Sequence, residues 1–182
     1  MTRARPWREL RSRTLLDCRI FIVESTAMAS PVDDSVHEFF RLRAPDWAHI
    51  VPVTAQGEIV MIRQFRQGSQ EISLEIPAGL IEPGEAPEAA ARRECLEETG
   101  YRATVLSSLG RLRPNPALFT NRLHSFYALG VERVTEIKQT ATEYTEVELV
   151  ELERLPDLLR SGAIDHALDT ALLWRFLHEY RR

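Results

Sequence analysis

Residues 47–53 and 58–65 are read as two alternating strands on either side of Gln56-Gly57. A period of two around a turn predicts a β-hairpin. Upstream, residues 15–24 carry the apolar run Ile20, Phe21, Ile22, Val23 and predict a strand. The turn formers Ser30-Pro31-Val32-Asp33-Asp34 follow, then a second strand over 36–42, so the two make an N-terminal hairpin that Pro45-Asp46 ends. Residues 1–13 are basic and read as a surface strap anchored by Trp7 and Leu10.

Beyond the central hairpin, a loop at 68–70 leads to a short strand over 72–76, which runs straight into Pro77-Ala78-Gly79. A helix is predicted over 86–99, opened by the Pro83-Gly84 turn and closed by Gly100. Strands are predicted over 105–112, 123–129 and 147–152. The loop Arg113-Pro114-Asn115-Pro116 separates the first two, and a polar, acidic loop over 136–146 separates the last two. Two helices close the chain, over 155–161, ended by Gly162, and over 166–180. Runs of strands with a few separated helices indicate an α+β class or an α/β/α layered fold.

Composition narrows the function. The chain has 182 residues, enough for one domain with a short N-terminal extension, and its 44% hydrophobic content can fill a core. A net charge of -4 gives no footprint for general nucleic-acid binding. Cys18 and Cys95 have neither metal-ligand nor redox spacing, and no disulfide framework is expected. The basic N-terminus lacks the apolar run of a signal peptide, and no stretch reaches a membrane span, so the expected location is a reducing cytoplasm.

The chemistry lies in the stretch GLIEPGEAPEAAARRECLEETGY at 79–101. Glu94 and Glu98 are four residues apart and Glu97 is three from Glu94, so the carboxylates share one helix surface. Like charges so close destabilise a helix unless something positive sits among them. Arg93 reaches Glu97 at i+4, and a hard divalent cation such as Mg²⁺ prefers such oxygens. A lone Glu-Glu pair reads as a solvated helix face, but the full spacing reads otherwise. Gly79, five residues, Glu85, seven residues, Arg93-Glu94, two residues, Glu97-Glu98, one residue, Gly100 resembles the Nudix box of the Nudix hydrolase family at every charged and glycine position. Only Tyr101 departs, where the family usually has an aliphatic residue.

The resemblance extends to the ADP-ribose pyrophosphatase and nucleoside diphosphate sugar hydrolase branch, through APDW at 44–47, RQFR at 63–66, LEIPAGLIEPGE at 74–85 and NPALFTNRLHSFYA at 115–128. Pro116 stands where that branch carries a marker proline. The resemblance implies a Nudix fold, a mixed sheet between helices. It implies Mg²⁺, with Mn²⁺ as its substitute, held by Glu94, Glu97, Glu98 and the carbonyl of Ala78, with Glu85 in support. Arg66, and after it Arg63, are the candidate diphosphate contacts, because a guanidinium grips phosphate with two bonds. Trp47, Phe39 and Phe40 are candidate faces for a base.

The acidic loop supplies the general base in similar enzymes. That points to Glu143, then Glu146, with the box residue Glu97 as the remaining possibility. His37, His49, His124, His166 and His178 receive no catalytic role. The expected reaction is hydrolysis of ADP-ribose to AMP and ribose 5-phosphate. A GDP-mannose or other sugar-nucleotide hydrolase, a house-cleaning hydrolase of nucleoside triphosphates, and a sensor without turnover stay open as alternatives. Residues 1–45 are expected to form an extension that pairs two copies into a homodimer, with Phe39 or Phe40 near the partner's site, and 46–182 the hydrolase domain. Neither nucleic acid nor membrane is an expected partner.

Overall fold

A computed structural model describes residues 4–137, 139–140 and 144–180. The chain divides into two units. One runs to Pro45 and takes in Arg113–Arg122, and the other comprises Asp46–Leu112 and the chain from Leu123 onward.

The first unit is a three-stranded antiparallel meander, β1 (Arg8–Asp17), β2 (Ile22–Ala29) and β3 (Val36–Arg43). Two expectations are corrected here. Residues 8–13 of the basic strap belong to strand β1, and the strand expected over 15–24 is cut by a turn. The cause is Asp17, whose carboxylate accepts the Arg19 N–H at 2.9 Å while Arg19 takes φ 69°. An Asp that bonds its own backbone two residues on favours a turn, and here it overrides the apolar run that follows. Across the sheet Glu24 accepts from Arg41 Nε and Arg43 Nε, both at 2.8 Å, and Arg41 also reaches Glu9. These hydrogen bonds, led by Arg43, hold the Glu24 carboxyl below its ordinary value. Arg113–Arg122 joins this unit through the Leu42 N–H, which donates to the Leu118 carbonyl at 2.8 Å, and through Asn121 Nδ2, which donates to the Pro45 carbonyl.

The second unit is a mixed eight-stranded sheet. Its strands are β4 (Trp47–Thr54), β5 (Glu58–Arg66), β6 (Glu71–Glu75), β7 (Ala78–Leu80), β8 (Tyr101–Arg102), β9 (Ser107–Leu112), β10 (Leu123–Arg133) and β11 (Thr145–Glu151). The path is β11-β5-β4-β10-β8, with β6 on β5, β7 on β4 and β9 on β10, and β4 and β10 run parallel. Helix α1 (Pro87–Thr99) packs on one face and α2 (Leu155–Ser161) and α3 (Ala167–Tyr180) on the other. The strand alternation sorts the core accordingly. Ala48, Ile50 and Val60 meet Ala90, Ala91 and Cys95 of α1, while Val51, Val53, Ile59 and Met61 meet Leu172, Leu173 and Phe176 of α3. A sheet covered on both faces explains why β4 is buried almost throughout. The expected α+β, α/β/α arrangement is therefore the observed one.

Strand β10 continues past its expected end at Leu129, because Gly130 adopts φ 70° where the register shifts and the strand bulges rather than stops. Among the described residues no helix is long and apolar enough to cross a membrane.

Candidate active site

Helix α1 is delimited by backbone chemistry. Pro87 occupies its first turn, where a missing N–H costs nothing, and Gly100 takes the left-handed C-terminal position at φ 75° with its N–H on the Leu96 carbonyl. The small side chains Ala90, Ala91 and Cys95 bring the helix close to the sheet. Burial pushes the Cys95 thiol up to about 12, so this cysteine is a packing group rather than a nucleophile.

With that face buried, the helix presents Glu94 and Glu98 to β7. Glu98 Oε2 accepts the Ala78 N–H at 2.9 Å. The Glu94 carboxylate lies over Gly79, where a Cβ would come within 2.0 Å of Oε1. Arg93 binds the acidic groups together. Its Nε and Nη2 hold Glu85 at 3.0 and 2.9 Å, Nη1 donates to Glu94 at 2.6 Å and to Glu97 at 3.3 Å, and Nη2 also reaches the Leu80 carbonyl. The Glu85 bond raises the Arg93 pKa, and Glu85 in turn is held below its ordinary value by Arg93 and by the Glu82 N–H. Glu97 is the outermost carboxylate, its side chain 59% exposed. The donor set is hard oxygen on one helix surface, with Glu94 in space that only a glycine leaves open. These residues fit a divalent cation of the Mg²⁺ type.

The remaining candidates are placed as follows. Arg66 ends β5 and grips Glu75 with Nε at 2.7 Å and Nη2 at 2.5 Å; Glu75 is buried and Arg66 half exposed. Glu98 also adds to the field that favours the Arg66 charge. Arg63 donates to Glu148 on the neighbouring strand. Trp47 opens β4 with its indole N–H buried and, among the described residues, without an acceptor. Phe39 and Pro116 belong to the other unit. There Phe39 is 45% exposed and meets Trp7 edge-on at 5.1 Å, while Pro116 sits in the turn after Asn115.

Glu143 lies outside the described residues. Glu146 is corrected: it is not a loop residue but the second residue of β11, opposite Arg63, with the Tyr144 hydroxyl donating to it at 3.1 Å.

Sequence reasoning missed a polar group on the α3 side of the sheet, made of His49, Glu75, Ser125, His166 and Asp169. One signal for it was present. Asp169 stands three, four and seven residues before Leu172, Leu173 and Phe176, at a core position of its helix.

Residues 43–169 match the NUDIX domain family. The chain belongs to that family. Over 124 residues it is 35% identical to the ADP-ribose pyrophosphatase of Bacillus subtilis, a match covering 68% of this chain and 67% of the relative. Over 116 residues it is 32% identical to the ADP compounds hydrolase NudE of Escherichia coli, covering 63% and 62%. A crystal structure of an ADP compounds hydrolase superposes with a TM-score of 0.87 over 100% of this chain and 97% of that one, at 24% identity, which supports the fold. This Nudix protein is thus a pyrophosphohydrolase of the ADP-ribose pyrophosphatase branch, and the box at 79–101 is its family signature.

Proposed function

We propose that this Nudix enzyme hydrolyses the diphosphate of a nucleoside diphosphate sugar, with ADP-ribose as first substrate and AMP and ribose 5-phosphate as products. The observation that carries the reading is the packing of Glu94 on Gly79 beside Glu98 on Ala78. It presents carboxylates at a fixed spacing beside a sheet strand that ends in Arg66 (β5).

Glu94, Glu97, Glu98 and the Ala78 carbonyl would hold Mg²⁺, with Mn²⁺ as substitute. When bound, the ion neutralises diphosphate charge and makes water a better nucleophile. The protein supplies the rest. Arg93 Nη1 donates to both Glu94 and Glu97, offsets their mutual repulsion and keeps them oriented. Arg66, and less directly Arg63, orient the diphosphate. A base ring stacks on Trp47 or on Phe39. A loop carboxylate, Glu143 first and Glu146 second, takes one proton from the attacking water. The water oxygen bonds phosphorus, and the bridging P–O bond breaks toward the other phosphate. Residues 1–45 serve dimerisation, 46–182 catalysis, and the enzyme works in the cytoplasm.

The test is product release from a panel of ADP-ribose, GDP-mannose, other sugar nucleotides and nucleoside triphosphates, ranked by kcat/KM with Mg²⁺. ADP-ribose at the head of the ranking supports the proposal. A triphosphate at the head overturns it, and so does binding without turnover throughout.

A further inference from the structure

Behind Arg66 the structure buries more charge than holding one arginine requires. Glu75 and Asp169 each have side chains only 2% exposed. His166 stands between them, with Nδ1 3.1 Å from Asp169 Oδ1 and 3.9 Å from Glu75 Oε2. The three ligand atoms lie within 4.8 Å of one another. A cation does not fit there, because Arg66 already occupies both Glu75 oxygens and Ser73 donates to one of them. Asp169 Oδ2 is taken by the Ile76 N–H at 3.1 Å. His49, fully buried, shares a 2.8 Å hydrogen bond with Ser125 through Nε2 and faces Asp169 with Nδ1 at 3.8 Å.

The groups that face His166 are therefore Asp169 from α3, Glu75 from β6, Arg66 from β5 and, beyond Asp169, His49 from β4. Burial lowers the His49 pKa and keeps that ring neutral. Burial pushes the Asp169 carboxyl up, but the nearness of the His166 imidazole at 3.1 Å, and beyond it of His49 at 3.8 Å, more than offsets it and holds the group ionised, although neither Nδ1 lies in hydrogen-bond geometry. Two buried carboxylates then face one permanent cation, Arg66. Among the described residues that contact these two carboxylates, the second positive charge comes from the imidazolium of His166.

We propose that His166 is a positioning residue for Arg66: its positive charge matches Asp169, so that Arg66 answers to Glu75 alone and keeps its outer edge for the diphosphate. The inference rests on the reading of Arg66 as the diphosphate contact. Among the described residues Arg66 Nη1 donates to no carboxylate, so that edge is available. Once His166 loses its proton, the cluster carries one uncompensated negative charge. In a poorly screened interior this draws the guanidinium inward and repels an anionic ligand. The neighbouring Asp169 carboxylate raises the His166 pKa against the opposing cost of burial, so the change lies above the ordinary histidine value.

The experiment is kcat and KM for ADP-ribose at saturating Mg²⁺ from pH 6 to 9 (values on the scale of histidine titration), for wild type, His166→Gln, His166→Lys and Arg66→Ala. In wild type KM rises as His166 deprotonates. His166→Gln gives a KM about tenfold higher that no longer follows pH, on the scale of one partly screened charge, with kcat little changed. His166→Lys restores the low KM and keeps it at high pH. A His166→Gln enzyme with the wild-type KM profile, beside an Arg66→Ala enzyme with raised KM, overturns the inference and leaves the Arg66 reading standing. An Arg66→Ala enzyme with unchanged KM overturns both.

A second readout needs no variant. By linkage, ADP-ribose binding in the absence of divalent metal must raise the His166 titration midpoint, followed by its imidazole NMR signals. An unmoved midpoint overturns the proposal.

Discussion

Gly79 lies beneath the carboxylate of Glu94 so closely that a methyl group on its Cα would sit 2.0 Å from Oε1 and 2.1 Å from Cδ. Real Cβ atoms do not approach so near, so in Gly79→Ala the carboxylate has to leave. Gly79 is not in the left-handed region, so the substitution carries no backbone strain of its own. We expect kcat/KM to fall by about a hundredfold or more, the scale of losing one preorganised charge in an active site, with a melting midpoint near wild type. Glu98→Gln is the comparator. It keeps an oxygen for the Ala78 N–H but removes the charge, and it should cost turnover by about a thousandfold. Activity followed against Mg²⁺ concentration checks both. Near-normal turnover of either variant at low Mg²⁺ would remove its side chain from the metal site.

Gly100 makes the opposite case, a glycine that matters for the fold. It holds φ 75°, and a Cβ there would lie 2.2 Å from the Thr135 carbonyl oxygen. A left-handed non-glycine residue costs roughly 1–2 kcal/mol and the backbone clash adds to it. Gly100→Ala should therefore lower stability by about 3 kcal/mol in chemical denaturation. Protein that remains folded at low temperature should keep most of its kcat. A large loss of kcat with an unshifted denaturation midpoint would reverse that division of roles.

The two glycines mark how far the sequence could be read. The box spacing was visible because α1 repeats every 3.6 residues, so Arg93, Glu94, Glu97 and Glu98 fall on one side whatever surrounds them. The β4–β5 hairpin was visible because two mostly apolar runs flank the turn former Gln56-Gly57. Strand β7, of three residues, and β8, of two, are too short for any period to register, and pairing with β4 and β10 makes them strands. Cys18 to Phe21 misled because the hydrogen bond that the Asp17 carboxylate accepts from the Arg19 N–H outweighed the apolar residues that follow it. The His49–Asp169 approach was out of reach for a different reason: its partners are 120 residues apart in sequence (169 − 49), and the pairing depends on tertiary packing. Glu146 was assigned to the loop because Thr145 and Glu146 are polar, while the ladder opposite Gln64 and Arg63 begins with them.

On β3 of the first unit Val36, 60% exposed, and Phe40, 54% exposed, share one face with Leu16 of β1, 57% exposed, while Phe39, 45% exposed, points to the other face beside Trp7. Exposed apolar groups in such number mark an interaction surface. We expect a homodimer by light scattering at micromolar protein. Phe40→Asp should shift the mass to that of one chain and lower activity without unfolding the second unit, as read by thermal melting. A wild-type protein of monomeric mass with full activity would remove the dimer from the proposal.

The general base is the last expectation, and what surrounds it in sequence sharpens the test. Gln139 clasps Thr145 with two bonds, Nε2 to the Thr145 carbonyl at 2.6 Å and Thr145 N–H to Oε1 at 3.0 Å. Thr145 Oγ1 also donates to the carbonyl of Glu98 at 2.9 Å. The start of β11 is thereby tied to the very turn of α1 that carries a proposed metal ligand. Glu143 precedes that anchor by two residues in the chain, whereas Glu146 follows it inside the ladder and is bonded by Tyr144. A carboxylate that takes the water proton acts in the transition state and adds little to substrate binding. Glu143→Gln should then lower kcat by about a hundredfold to ten-thousandfold while KM and Mg²⁺ affinity barely move, and Glu146→Gln should stay within about twofold of wild type. The reverse pattern would keep the base near this anchor but move it to the strand. Two silent variants would take the base out of this segment and leave Glu97, exposed at the rim of the box and bonded to Arg93 at 3.3 Å, as the group to test next.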